Sequence, residues 1–495
     1  MKKVSINVRV VLVMLGLVLC LPASASAHGR LKSSVPEAGA HLPQVPRELR
    51  LDFSEAPDLT FSTLRLIGPD GRDVALGAVA YAADSHRALV APIAGPMSAG
   101  TFVIAWQMAG DDGHPVRGRI EFVVAPGAMG VGIAPVGVHA VTASGAASGD
   151  TAMAGMHHDP VSMPEGNGFG AESFAYVIIR WVQFVGLLLA IGAVSFHTFV
   201  LAAIRRDPRS AGQATEASVL PAVESRAARV GLVASMALAV ALLARLVAQA
   251  YAMHGGDNPF DPATTGPMIT RTMWGWGWML QLVGIALAGI GFHQARAISP
   301  ARAGISTGPN HFWWRVAGLG AVLLAFSPSL ASHASSAPQL RFLAMLADGV
   351  HVLGASSWLG TLAVVLFAGL SVARDRREQG DAFVRDLINA FSPVALVSAG
   401  VATTTGVFAA WLHVGTIPNL WGTRYGITLL VKLGVLGVVT LTGFYNWRFV
   451  QPRLGTREAT AHLRSSAMVE VAVAVIVLLV TAVLVASPTS LDMIM

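Results

Sequence analysis

Eight apolar stretches follow one another in the last two thirds of the chain, near 174–203, 229–251, 272–293, 313–332, 343–370, 391–412, 426–447 and 467–487. A bilayer core of about 30 Å is crossed by about 20 apolar helical residues, and each stretch reaches that length. The connecting segments are unequal in charge. Those after the first, third, fifth and seventh stretches hold Arg205, Arg206, Arg209, Arg226 and Arg229, then Arg296, Arg302 and Arg315, then Arg374, Arg376, Arg377 and Arg385, then Arg448, Arg453, Arg457 and Arg464. The alternate segments hold only Arg271, Arg341 and Arg424. Basic residues collect in cytoplasmic loops, so this bias places both ends of the mature chain outside. Composition agrees: 54% of residues are hydrophobic and 13% charged, where a soluble domain carries about a quarter charged. The net charge of +6 then belongs to membrane topology, and nothing calls for nucleic acid.

Residues 1–27 read as a secretory leader. Lys2, Lys3 and Arg9 precede an apolar run from Val10 to Leu21, and Ala25-Ser26-Ala27 ends it. Basic, apolar and small-residue segments in that order are the export pattern. Cleavage is expected after Ala27, with Ala25 as the competing position. Cys20 is the single cysteine and lies in the leader, so the mature chain has no thiolate metal site and no disulfide.

Residues 28–125 differ from the rest. "ELRLDFS", "TLRLIG", "TFVIAWQM" and "GRIEFVV" alternate in polarity and are separated by Gly, Pro and Asp turns. That pattern predicts a small all-β sandwich or barrel. Residues 126–171 are rich in Gly, Ala, Ser and Met and read as a flexible linker, ahead of an all-α membrane domain over 172–490.

Cleavage after Ala27 would make His28 the first residue. Its α-amine and ring Nδ1 could then hold one metal together, and a free amine titrates near neutrality, so a metal displaces its proton easily. The second half of the site would be "AGDDGHPVRG", where Asp112 and His114 flank Gly113. Alone, that stretch reads equally well as a polar turn. Combined with an N-terminal histidine it supplies imidazole, amine and carboxylate donors, which suit tetragonal Cu(II).

"HGRLKSSVPEAGAHL", "LRLDFSE" and "DDGHPVRGRIEFVV" resemble the CopC family of periplasmic copper-binding β-barrels. The resemblance implies a Greek-key sandwich and assigns Cu(II) to His28, Asp112 and His114, with Glu55 behind the ligands to orient them. The domain has only Met97 and Met108, so the Met-rich Cu(I) loop of some family members has no counterpart. "SHASS", "ADGVHVLGASSWLGTL", "FSPVALVSAGVATTTGV", "LWGTRYGITLLVKLGVL" and "FYNWR" resemble the CopD family, most strongly over the last five helices. A CopC–CopD fusion implies copper import or resistance at the bacterial inner membrane, with the β domain in the periplasm. The partners it implies are copper ions, lipid, and copper chaperones on either side.

Two further sets of residues follow from metal chemistry and cost. Met153, Met156, His157, His158 and Met163 crowd the linker. Thioethers select Cu(I) and imidazoles accept either oxidation state, so this tract reads either as a metal relay or as an incidental linker composition. Polar groups at membrane depth are costly and usually functional. His333, His351 and His413, with Met345 and Asp348 beside His351, are expected to form an outward-facing site for Cu(I) or Cu(II). His197 and His293 are expected at the inner end. Arg180, Arg245, Lys432 and Glu470 are expected to pair with one another or to snorkel, and "WGWGW" (Trp274–Trp278) to anchor at the interface.

Three functions stay open at this point: copper transport; a copper or haem redox enzyme; and sequestration or sensing without flux. No nucleotide-binding loop or phosphorylated-Asp motif is present, so transport would be driven by gradients or by cytosolic capture. An N-terminal His with a second His is also the brace of oxidative copper enzymes, but the Asp would leave little open coordination for oxygen.

Overall fold

A computed structural model describes residues 31–54, 56–109, 115–126, 174–207, 214–254, 260–297, 308–330, 340–375, 380–453 and 457–486. The chain divides into two compact units, a β unit and a helical unit.

Period-two burial builds the β unit. In β3 (Glu48–Phe53) Leu49, Leu51 and Phe53 point inward. The same alternation runs through β4 (Thr63–Ile67), β8 (Gly100–Ala109) and β9 (Pro115–Val124). With β1 (Leu31–Val35), β2 (His41–Leu42), β5 (Asp73–Val74), β6 (Ala80–Ala82) and β7 (Ser85–Pro92) they form two sheets. One has four strands in the order β1-β3-β7-β6, and the other five in the order β2-β9-β8-β4-β5. Their apolar faces close on Leu49, Leu51, Phe53, Leu66, Leu89, Phe102, Ile104, Met108 and Phe122, giving the expected sandwich.

Two details are specific. Gly118 faces Trp106 across the β8–β9 pair, and a Cβ there would sit 2.3 Å from Trp106 Cζ2, so only glycine lets the indole lie over the sheet. Arg50 spreads its guanidinium between two carboxylates, with 3.0 Å bonds to Asp52 and to Asp84. The Arg50 hydrogen bond holds the Asp84 carboxyl below its ordinary range, and the two carboxylates push the guanidinium further up.

The helical unit contains eight long helices among the described residues: α1 (Phe174–Arg206), α2 (Ala214–His254), α3 (Met273–Ala297), α4 (Gly308–Leu330), α5 (Phe342–Asp375), α6 (Gly380–Val414), α7 (Tyr425–Val450) and α8 (Arg457–Ala486). Seven of these are long and apolar enough to cross a membrane. The exception is α4, the expected fourth span. It has 23 residues, but Arg315, Ser327, Pro328 and Ser329 dilute it.

Helices α2, α6 and α8 begin well before their apolar stretches, in turns that carry Arg226 and Arg229, Arg385, and Arg457 and Arg464. The helix therefore continues past the apolar limit on the arginine-rich side. There Arg226 bridges to α5 through Ser371 Oγ (2.8 Å) and Asp375 Oδ2 (2.6 Å). In the middle of the unit α1 crosses α5 at Gly192 and Gly360, where a Cβ on Gly192 would lie 2.3 Å from the Gly360 carbonyl carbon. Small residues at such crossings let backbones approach. Close by, α5 widens into π-helical turns at Ser356–Gly360 and Val365–Gly369.

Candidate metal centre

His28, Glu55, Asp112, His114, the linker beyond Pro126, and His333 lie outside the described residues. The strands that carry the first four are described. β1 begins at Leu31, paired with Phe53 at the end of β3. The Phe53 ring meets Trp106 of β8 edge-on, with centroids 5.3 Å apart. Just past β3, the Asp58 N–H donates to the carbonyl of Ala109, the last residue of β8 (2.9 Å). Ala109 pairs with Pro115, the first of β9. The segment before β1, the segment after β3 and the β8–β9 connection therefore leave from one end of the sandwich. Those are the segments that hold His28, Glu55, and Asp112 with His114.

The two methionines of this unit are turned into its core. Met108 is fully buried, and Met97 packs against the same core. His41 and His86 are exposed, the latter edge-on to Tyr81 at 5.1 Å.

In the helical unit His351 is half-buried on α5 against α6. Its Nδ1 is 2.9 Å from the Ala402 carbonyl oxygen and 3.1 Å from Thr405 Oγ1. A carbonyl only accepts, so Nδ1 holds the proton and donates, which leaves the lone pair on Nε2. Metal-binding imidazoles are commonly oriented in this way. Gly406 leaves room for the ring, because a Cβ there would meet His351 Cε1 at 3.2 Å. Lys432 of α7 acts electrostatically on His351 and on Asp348. Asp348 in turn acts on Tyr425, whose ring lies edge-on to His413 at 6.2 Å. Met345 packs with Ala344, Trp411 and Leu412 beside His413. The structure thus draws Met345, Asp348, His351 and His413 into one stretch of the α5–α6–α7 interface. It does not close them round a point, since no three His, Asp or Glu side chains among the described residues gather tightly enough to hold an ion.

At the other end His197 is buried and stacks on Trp314, with centroids 4.1 Å apart and rings 3° from parallel. Its Nδ1 lies 3.2 Å from Glu224 Oε1, and Arg205 reaches Glu224 Oε2 at 2.6 Å. The expected companion His293 is exposed on α3. The ring facing His197 is His311, at 6.0 Å, which the sequence reading did not single out.

The intramembrane charges also differ from expectation. Arg180, Arg245 and Glu470 are buried rather than snorkelled, and no two of the four charged residues form an ion pair among the described residues. Glu470 accepts from Asn446, Arg180 donates to the Val485 carbonyl (2.9 Å), and Arg245 donates to Gln281 (3.2 Å). Of the "WGWGW" tryptophans, Trp276 is exposed as an anchor would be. Trp274 is buried under Arg245 instead.

Residues 31–125 match the CopC domain, 171–340 the N-terminal domain of copper resistance protein D-like proteins, and 385–484 copper resistance protein D. The first helices, where the resemblance was weaker, are therefore matched as well. The His351 helix falls between the last two matches. Copper transport protein CutJ of Bacillus subtilis (strain 168) is 22% identical over 433 residues, covering 87% of this chain and 70% of that one. Copper resistance protein C of Escherichia coli is 34% identical over 116 residues, covering 22% of this chain and 90% of that one. The crystal structure of PcoC, a methionine-rich copper resistance protein from Escherichia coli, is 34% identical and covers 20% of this chain and 99% of that one, with a TM-score of 0.18. The chain is a member of the copper resistance and transport proteins, with a CopC domain followed in one polypeptide by the two domains of the copper resistance protein D family.

Proposed function

We propose that the chain captures Cu(II) outside the bacterial inner membrane with its β domain and carries copper inward through its helices. The observation that carries this reading is the departure of three segments from one end of the sandwich, tied by the Phe53–Trp106 contact and the Asp58–Ala109 hydrogen bond. With the leader removed, the His28 amine and Nδ1, His114 and Asp112 take Cu(II), and Glu55 orients them. Met153, Met156, His157, His158 and Met163 pass the ion on. His333, Met345, His351 and His413 receive it in the outer half of the helices. No three His, Asp or Glu side chains among the described residues close round a point, so the ion would move between sites of few donors, which favours its release. His197 stands near the inner end. The arginine bias supports this orientation.

The experiment is cellular copper content with and without the protein, at equal external copper. A rise with the protein is the expected result. Unchanged content with altered tolerance would mean sequestration, and a fall would mean export; either overturns inward transport.

A further inference from the structure

A separate polar cluster lies where the start of α1, the end of α2 and the start of α3 meet. Arg180, Gln183, Arg245, Trp274 and Gln281 are each at most 8% exposed. Gln281 Oε1 accepts from Gln183 Nε2 (3.0 Å) and from Arg245 Nη1 (3.2 Å). Two donors on that atom fix the orientation of the Gln281 amide, because the flipped amide would face both with N–H groups. Three buried N–H donors then have no acceptor among the described residues: Arg245 Nε, Trp274 Nε1 and Gln281 Nε2. All three can only donate.

Charge points the same way. Neither Arg180 nor Arg245 has a carboxylate within ion-pair distance among the described residues. Arg180 lies over the Tyr176 ring at 4.6 Å and Arg245 over Trp274 at 5.7 Å; both guanidiniums reach the neutral Tyr176 hydroxyl, and they act on each other. Aromatic faces offset only part of the cost of a buried cation. A buried cluster with surplus donors and surplus positive charge has the composition of an anion receptor.

We propose that this cluster binds one small monovalent anion, held by Arg245 Nε, Trp274 Nε1 and Gln281 Nε2 and balanced by the Arg180–Arg245 pair. A free halide and the phosphate of an anionic lipid share the required chemistry. None of the residues assigned to copper takes part, so the inference stands or falls apart from the transport reading.

The test uses the full chain in nanodiscs and reads its thermal unfolding midpoint. In one arm, chloride replaces bulky gluconate at fixed ionic strength in phosphatidylcholine. In the other, phosphatidylglycerol replaces phosphatidylcholine without chloride. We expect a saturable upward shift of a few degrees in one arm, which identifies the source of the anion. Arg245→Gln should flatten it. Gln281→Glu places a carboxylate among the donors, so it should reach the saturated midpoint without added anion and then no longer respond. A wild-type midpoint that moves in neither arm would overturn the proposal, as would a Gln281→Glu variant that titrates like wild type.

Discussion

The two halves of the molecule treat polar side chains in opposite ways. Among the described residues the sandwich buries only Ser34 and Ser62, and no charge. Its ionic groups, such as the Arg50–Asp52–Asp84 cluster, stay at the surface. The helical unit buries Arg180, Arg245, Glu224, Glu470 and His197, and exposes Val240, Leu243, Leu396 and Leu441. Water solvates the charges of the first, whereas a lipid surface cannot, so the second turns them inward. Where each half can work on an ion follows from this. The sandwich can hold one only at a strand end, outside its apolar core. The helices can hold one only between themselves.

The sharpest test of that division is to break each half separately. Gly118→Ala drives a Cβ into Trp106 and should destabilise the sandwich by about 3 kcal/mol, since an overfilled core has nowhere to put the methyl group. Gly192→Ala forces α1 from α5 and should cost a similar amount, about 3 kcal/mol. If the halves are independent, the first variant loses Cu(II) binding while the helices resist proteolysis, and the second does the reverse. Parallel loss in both would merge them.

Next in size is the front of the mature chain. One extra residue ahead of His28 removes the amine from the metal, and titration should show Cu(II) affinity falling roughly 100-fold. Unchanged affinity would take the amine out of the site. In the helices Gly406→Ala presses a methyl group on the His351 ring at 3.2 Å. Copper flux in proteoliposomes should fall measurably but by less than the roughly tenfold that loss of an orienting group costs, with Cu(II) binding unaltered.

The smallest effect belongs to Asp84. Its carboxyl is held low by Arg50, so its contribution is present above the ordinary carboxylate range and is lost as pH falls through its depressed value. Asp84→Asn should remove that part of the acid sensitivity of the sandwich by lowering stability slightly at pH 7 and leaving it nearly unchanged at pH 3, read from unfolding curves at the two pH values.

How much of this was legible depends on distance along the chain. "ELRLDF" alternates, so β3 and its inward Leu49, Leu51 and Phe53 could be read locally. His28, Asp112 and His114 stand in short motifs, and their role as copper donors is part of the proposal because they lie outside the described residues. Within the helices the apolar length marks each span. It does not mark the extra turns that carry Arg226, Arg385 and Arg464, because helix geometry continues into water without apolar residues. Nor could the partners of His351 be read, since Ala402, Thr405 and Lys432 come from two other helices. Trp274 looked like an anchor until Arg245, on the preceding helix, was seen above it.

Copper uptake into proteoliposomes, compared between the wild type and His351→Ala, tests the central claim most directly. The account predicts that the variant loses flux by roughly tenfold or more while the β domain still binds Cu(II). Equal flux in the two proteins would contradict it.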